Sequence, residues 1–160
     1  IVMPMTWDDW PEIARNIFQL MRSEAGEEIV LEKNIFVERI LFNDSEKGLS
    51  DEAKKEYIRP FKNAGEDRRP TLTWPRQIPI DGSPEAVIDE VTKNGEFHKN
   101  SDIPKLFINA DPGTILIGKQ REFVRSWSNL KEVTVKGNHF VQEDSPREIG
   151  EAIKVFIEKI

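Results

Sequence analysis

Cysteine is missing from this sequence, tyrosine occurs once and histidine only twice. Without cysteine there are no disulfides, no thiolate metal sites and no cysteine nucleophile, and the redox compartment stays open. No apolar run approaches the roughly 18 residues that a membrane-spanning helix needs. There is no Gly-x-Ser-x-Gly turn, no glycine-rich phosphate loop and no His-x-x-x-His pair. A serine nucleophile elbow, a nucleotide site and a metal site therefore lack their signatures. Nor is there a Lys/Arg cluster: 23 basic against 29 acidic residues give a net charge of −6, the opposite of what a nucleic-acid backbone rewards. These absences set the expectations of no cofactor, no metal, no nucleic-acid partner and no membrane, in a cytoplasmic setting.

What is present fits one domain by length, 160 residues with 38% hydrophobic and 32% charged. The opening Ile1-Val2-Met3-Pro4-Met5 is neither an initiator methionine nor a signal peptide. It admits two readings, trimming or continuation of something upstream.

The first hundred residues read as helical. Ile13, Ile17, Leu20 and Met21 recur at helical spacing behind Pro11, and Ser23 is a candidate cap for a short second helix through Leu31. Ile35 to Leu41 is ambiguous between strand and helix, and Phe42 to Gly48 is a polar loop. Ser50, followed by Asp51 and Glu52, caps a helix that Pro60 ends. Lys62 to Pro84 is rich in proline, arginine and glycine without a clear period, and a segment this long inside a compact domain is expected to be functional or to carry short helical turns. Ser83-Pro84-Glu85 opens another helix, with Ser83 as cap.

After Asp102 the pattern changes. Lys105 to Asn109 is a strand run into a turn at Ala110-Asp111-Pro112-Gly113, a helix follows from about Leu116 to Trp127, and Glu132 to Lys136 is a second strand stopped by Gly137. A closing helix has a Ser145/Glu148 capping box and one apolar stripe of Ile149, Ala152, Ile153, Phe156, Ile157 and Ile160. Alternation of strand and helix implies parallel strands with crossover helices. Two strands are too few for such a sheet, which is normally covered on both faces. The pattern therefore predicts neighbouring strands from an upstream half or from a second copy of the chain.

Of the two histidines, His98 sits among Glu96, Lys99 and Asn100 and reads as solvated. His139 directly follows the last strand, where open α/β sheets place their ligands, and a histidine there can take a proton near neutral pH. Asp111 stands in the matching place after the preceding strand. It is either a turn residue or the acid that orients His139 in a triad-like arrangement. Trp7, Trp10, Phe18, Phe36, Trp74 and Phe140 are either core or, in irregular segments, pocket lining.

Thr6-Trp7-Asp8-Asp9-Trp10-Pro11-Glu12 resembles the start of the cap domain of haloalkane dehalogenases and Renilla-type luciferases. Asn34 to Glu38, Tyr57 to Phe61, Arg69-Pro70-Thr71-Leu72-Thr73-Trp74-Pro75-Arg76, Asp111-Pro112-Gly113 and His139-Phe140-Val141-Gln142-Glu143-Asp144 agree in order and spacing. Phe42 to Ser50 and Asp89 to Lys99 are the least typical stretches, and Arg69 to Arg76 and Lys136 to Asp144 lie closer to the luciferases. The resemblance implies a partial α/β-hydrolase fold: a helical cap over residues 1–100, then a βαβα segment over 101–160 that holds the last two parallel strands of the core. By the same resemblance His139 matches the catalytic histidine. Trp7, Trp10, Asn16, Ile17, Phe36, Trp74, Pro75, Ile115 and Phe140 fall at or near pocket and tunnel positions, with Asn16 near a place where relatives often carry an acid.

In such enzymes the nucleophilic aspartate, the halide-binding tryptophan beside it and an asparagine lie in the N-terminal half. The catalytic glutamate lies just before the position of Ile1. None of these is in the sequence, and Asp111 matches the acid of another branch. The implied function is the cap and catalytic-histidine half of an enzyme acting on a small apolar substrate. With its N-terminal half it would hydrolyse haloalkanes, or oxidise coelenterazine with O2 to give light and CO2 without a cofactor. The alternatives are a non-catalytic complementation fragment, an intertwined homodimer or a redesigned mini-domain with an apolar pocket.

Overall fold

The structure, a computed structural model, describes all residues 1–160. Helices fill the chain as far as Asn100, and two parallel strands with their helices follow.

Helix α1 (Glu12–Arg22) starts behind Pro11. Its inner face carries Phe18 and Met21, both buried, with Ala14 and Ile17 packed alongside. Ile13 and Leu20, read as part of the apolar stripe, point outward instead, Ile13 at 87% exposure. Ser23 ends α1, donating its hydroxyl to Leu20 O (2.8 Å) and accepting from the Ala25 N–H. Two short π-helical segments follow, Glu27–Glu32 and Phe36–Leu41, which resolves the Ile35–Leu41 ambiguity in favour of helix. α2 (Asp51–Ile58) is capped as the sequence predicts, Ser50 Oγ accepting the Ala53 N–H at 3.1 Å.

Lys62–Pro84 carries helical turns, one of the two expectations for it. It contains α3 (Arg69–Arg76), with Pro70 in the first turn, where proline is tolerated, and Pro75 inside the helix. A proline in a helix forfeits an N–H and crowds the preceding turn, which is why the run looked aperiodic. The guanidinium of Arg22 secures the C-terminal end of α3, donating to the carbonyls of Pro75 (3.0 Å), Arg76 (3.3 Å) and Ile78 (2.8 Å). Arg68 does the same one segment earlier. It is buried, and it donates to the carbonyls of Leu31, Glu32, Phe61 and Lys62.

α4 (Glu85–Asn100) begins behind Pro84, not Ser83, and no side chain caps it. β1 (Lys105–Pro112) pairs in parallel with β2 (Leu130–Gly137), from Lys105 opposite Leu130 to Pro112 opposite Gly137. α5 (Gly118–Arg125) joins them, and β1 and β2 are the whole sheet. A short α6 (Val141–Asp144) precedes α7 (Pro146–Ile157). The capping box expected there does not form: Ser145 Oγ donates to Lys136 O at 2.6 Å, at the end of β2. The hydroxyl ties α7 to the strand instead of satisfying its own first turn.

The main core lies in the helical part: Met5, Trp10, Phe18, Met21, Val30, Leu31, Leu72, Ile78 and Ile80 form one buried cluster. After residue 100 only Phe107, Val124 and Val135 are buried apolar side chains. α7 buries none, and Ile153, Ile157 and Ile160 of its stripe are exposed at 43%, 62% and 72%. No helix is long and apolar enough to cross a membrane.

Candidate functional site

The carboxyl ends of β1 and β2 hold the groups with chemistry. β2 ends at Gly137, whose backbone (φ 145°) is one that side chains rarely adopt, and a Cβ there would meet Asp144 at 2.8 Å. The bare backbone lets the chain turn tightly, so that His139 follows two residues after the strand. Asp144, buried at the end of α6, holds this turn. One carboxylate oxygen accepts the Asn138 N–H at 3.1 Å, and the other accepts the Ser45 hydroxyl at 2.8 Å and the Lys47 N–H at 3.1 Å. The Lys47 ammonium donates to the Asp144 carbonyl. Burial alone would raise the Asp144 pKa, but the donors from Glu46, Ser45, Asn138 and Lys47 outweigh it and leave the value lowered. Tyr57 adds a further bond from the helical side, donating to Glu143 at 2.6 Å, and its own pKa is raised by burial and by that carboxylate.

His139 presents surface to solvent, yet its ring has enough protein around it for desolvation to lower its pKa. Asp44 opposes that shift, and the amino group of Ile1 adds to it. The Phe140 ring stands edge-on, centroids 5.1 Å apart. A histidine with a lowered pKa is neutral over more of the physiological range, which is the form a general base needs.

The acid nearest in effect to His139 is therefore Asp44, in the loop before α2. Its carboxylate accepts the His139 backbone N–H at 2.9 Å and the Thr114 hydroxyl at 3.2 Å. Asp111 sits exposed at the end of β1, opposite Lys136, and is not among the groups that shift His139. Sequence reasoning missed Asp44 because it lies 95 positions away in a stretch without a motif.

The aromatic residues form a chain of contacts. Trp7 meets Trp10 edge-on at 6.5 Å, Trp10 meets Phe18 at 4.8 Å, Phe18 meets Trp74 at 6.5 Å, and Trp74 meets Phe36 at 5.7 Å. Trp10 and Pro75 are buried, and Trp74 is 49% exposed. Ile115, one residue beyond Thr114, packs against the core cluster that includes Trp10 and Phe18, as do Trp7, Ile17 and Phe36. The loop after β1 thus touches the core cluster with one residue and reaches the His139 loop, through Asp44, with the one before it. Asn16 is exposed on α1. Ile17 also lines an outer groove of about 410 Å³ with Leu20, Ile29, Lys33, Ile35, Arg39 and Ile40. His98 is not simply solvated: it stacks on Trp127 with centroids 4.8 Å apart.

Comparison with known proteins gives this geometry its context. The chain is 50% identical over 160 residues to a haloalkane dehalogenase of Sphingobium indicum, and 52% over 162 to one of Mycolicibacterium smegmatis. The chain is related to the haloalkane dehalogenases and Renilla-type luciferases along its whole length. It is 43% identical over 157 residues to the coelenterazine h 2-monooxygenase of Renilla reniformis. Identity is thus higher to these dehalogenases than to the coelenterazine h 2-monooxygenase. No protein-family model matches. The chain spans about half the length of these relatives, 50–54%. Among solved structures, a haloalkane dehalogenase from Bradyrhizobium elkani superposes with a TM-score of 0.92 at 33% identity, covering 99% of this chain and 56% of that one. An ancestral haloalkane dehalogenase gives 0.92 at 35%, covering 99% and 57%. The fold is accordingly a partial α/β-hydrolase fold with its parallel strands at the C-terminal side.

Proposed function

We propose that this chain is the cap and catalytic-histidine half of a haloalkane dehalogenase- or luciferase-type enzyme, working with an N-terminal half of the same fold. The observation that carries the reading is His139 at the carboxyl end of β2, kept toward its neutral form and linked through Asp44 and Thr114 to the loop whose Ile115 packs against the core cluster holding Trp10 and Phe18. That arrangement supplies a base on one side and a wall for an apolar substrate on the other. The Trp10 indole N–H, buried without a partner, adds one donor on the apolar side.

In the dehalogenase reading, an aspartate of the N-terminal half attacks the carbon bearing halogen; the carbon–halogen bond breaks, halide leaves and an alkyl ester forms. His139 then takes a proton from water, which attacks the ester carbonyl, releasing the alcohol and restoring the carboxylate. In the luciferase reading, the same cavity takes coelenterazine and O2 and releases CO2 with light. The exposed Ile153, Ile157 and Ile160 and the two-stranded sheet support a partner that covers them. The N-terminal half is that partner here; a second copy of the chain is the competing one.

The test mixes the chain with the N-terminal half of a dehalogenase relative, then measures halide release from a haloalkane and light from coelenterazine. Turnover that His139→Ala abolishes supports the reading, and the product decides between the two chemistries. A co-folded complex without either turnover, or turnover indifferent to His139→Ala, overturns it. A stable homodimer that excludes the added half favours self-assembly.

A further inference from the structure

Of the two stretches least typical of the family resemblance, Phe42 to Ser50 is the one that reaches the His139 loop. Asp44 is half-buried there, and its two carboxylate oxygens serve different segments. One takes the His139 N–H at 2.9 Å, and the other takes the Thr114 hydroxyl at 3.2 Å. Its neighbour Ser45 is buried and bonded to Asp144 at 2.8 Å, which keeps Asp44 from swinging away.

We propose that Asp44 is a positioning residue for His139: carried on the helical side, it fixes the backbone that bears the imidazole against the loop after β1. This rests on the reading of His139 as the base. A carboxylate does this better than a neutral side chain, because charge-assisted hydrogen bonds to N–H and O–H are roughly twice as strong as neutral ones. The charge also favours the protonated imidazole, against desolvation. The groups facing His139 are Asp44 from the loop before α2, the Ile1 amino group and the Phe140 ring, and Asp144 of α6 faces the adjacent Asn138.

The test uses the isotopically labelled full chain and two NMR readouts, the pH titration of the His139 ring and hydrogen exchange at its backbone N–H. Asp44→Asn, which keeps the shape, shifts the ring midpoint downward, because it removes the charge that opposes desolvation. Asp44→Ala shifts it likewise and speeds exchange at the His139 N–H about tenfold or more. Thr114→Val removes the second attachment and speeds exchange less, with the midpoint near that of the parent chain. Asp111→Asn leaves the midpoint in place. An unchanged midpoint in Asp44→Asn, or unchanged exchange in Asp44→Ala, overturns the proposal. If Asp44→Ala fails to fold, the Asp44→Asn midpoint and Thr114→Val exchange decide. Neither readout needs turnover. An enzyme that requires His139 but has an unmoved Asp44→Asn midpoint sinks this proposal alone, whereas a moved midpoint with turnover indifferent to His139 sinks the enzyme reading alone.

Discussion

The two parts of the molecule bury their apolar residues very differently. Residues 1–80 hold a contiguous cluster around Trp10, Met21 and Leu72, fastened by the guanidinium groups of Arg22 and Arg68 on backbone carbonyls. Residues 101–160 hold two strands, three helices and almost no closed core, with the isoleucines of α7 facing outward. One part is organised around its own interior; the other leaves most of its apolar side chains outside one. The functional groups sit at the seam, where the loop of Asp44 and Ser45 meets Thr114, Asn138, His139 and Asp144.

Substitutions can break this contrast, and the largest effect belongs in the helical cluster. Leu72 is fully buried, and Leu72→Ala is expected to cost about 2–5 kcal/mol in chemical denaturation, through lost burial and a cavity. A loss well below that would mean the cluster is not a close-packed core. At the seam, Asp144→Ala should cost about 1–3 kcal/mol by stranding the Asn138 and Lys47 N–H groups and the Ser45 hydroxyl. Hydrogen exchange should loosen at residues 45–47 and 138–139 together, and loosening on one side only would break the link.

Acid should act on the seam in the same direction. Asp144 has a lowered pKa, so its stabilisation is present above the ordinary carboxyl value, about 3.9, and fades as pH falls through it. His139 also has a lowered pKa, but as a base. Its neutral form is favoured by the fold, so stability is complete above about 6.5, the ordinary histidine value, and declines as pH falls below it. A melting-temperature series from neutral to acid pH should therefore slope downward, and His139→Gln should flatten its first part. The smallest effect is expected on α7. Ile157→Ala in the chain alone should change stability by less than about 0.5 kcal/mol, as for other surface sites, yet weaken capture of the N-terminal half measured by calorimetry. A large stability loss in the chain alone would mean that α7 already has its cover.

Much of the fold was legible because it rests on local signals. Ser50 before Asp51 and Glu52, and the two short apolar runs before Gly113 and Gly137, each carry their reason in a few neighbouring residues. Pro75 hid α3 because a proline inside a run reads as a helix breaker, while the helix end is held by Arg22, 53 positions earlier. The Ser145/Glu148 pattern failed because the serine hydroxyl found a strand carbonyl nine residues back. In the site, His139 could be read from its place after a strand, while Asp44 could not. The loop that carries it has no periodicity, and its partners come from segments that only the fold brings together. His98 was misread for the same reason, since nothing near it in sequence announces Trp127.

The carboxylate of Asp144 has a further consequence, for behaviour in salt. The donors on its oxygens are backbone N–H groups and a hydroxyl; the nearby Lys47 ammonium bonds to its backbone carbonyl instead. Fixed dipoles at hydrogen-bond distance in a closed site are poorly screened by mobile ions. Another tie between the two parts, Lys119 to Asp9 at 2.6 Å, is an ion pair whose lysine is 73% exposed, the kind that salt does screen. Raising ionic strength should therefore slacken the Asp9 end of the joint while the Asp144 end, beside His139, holds.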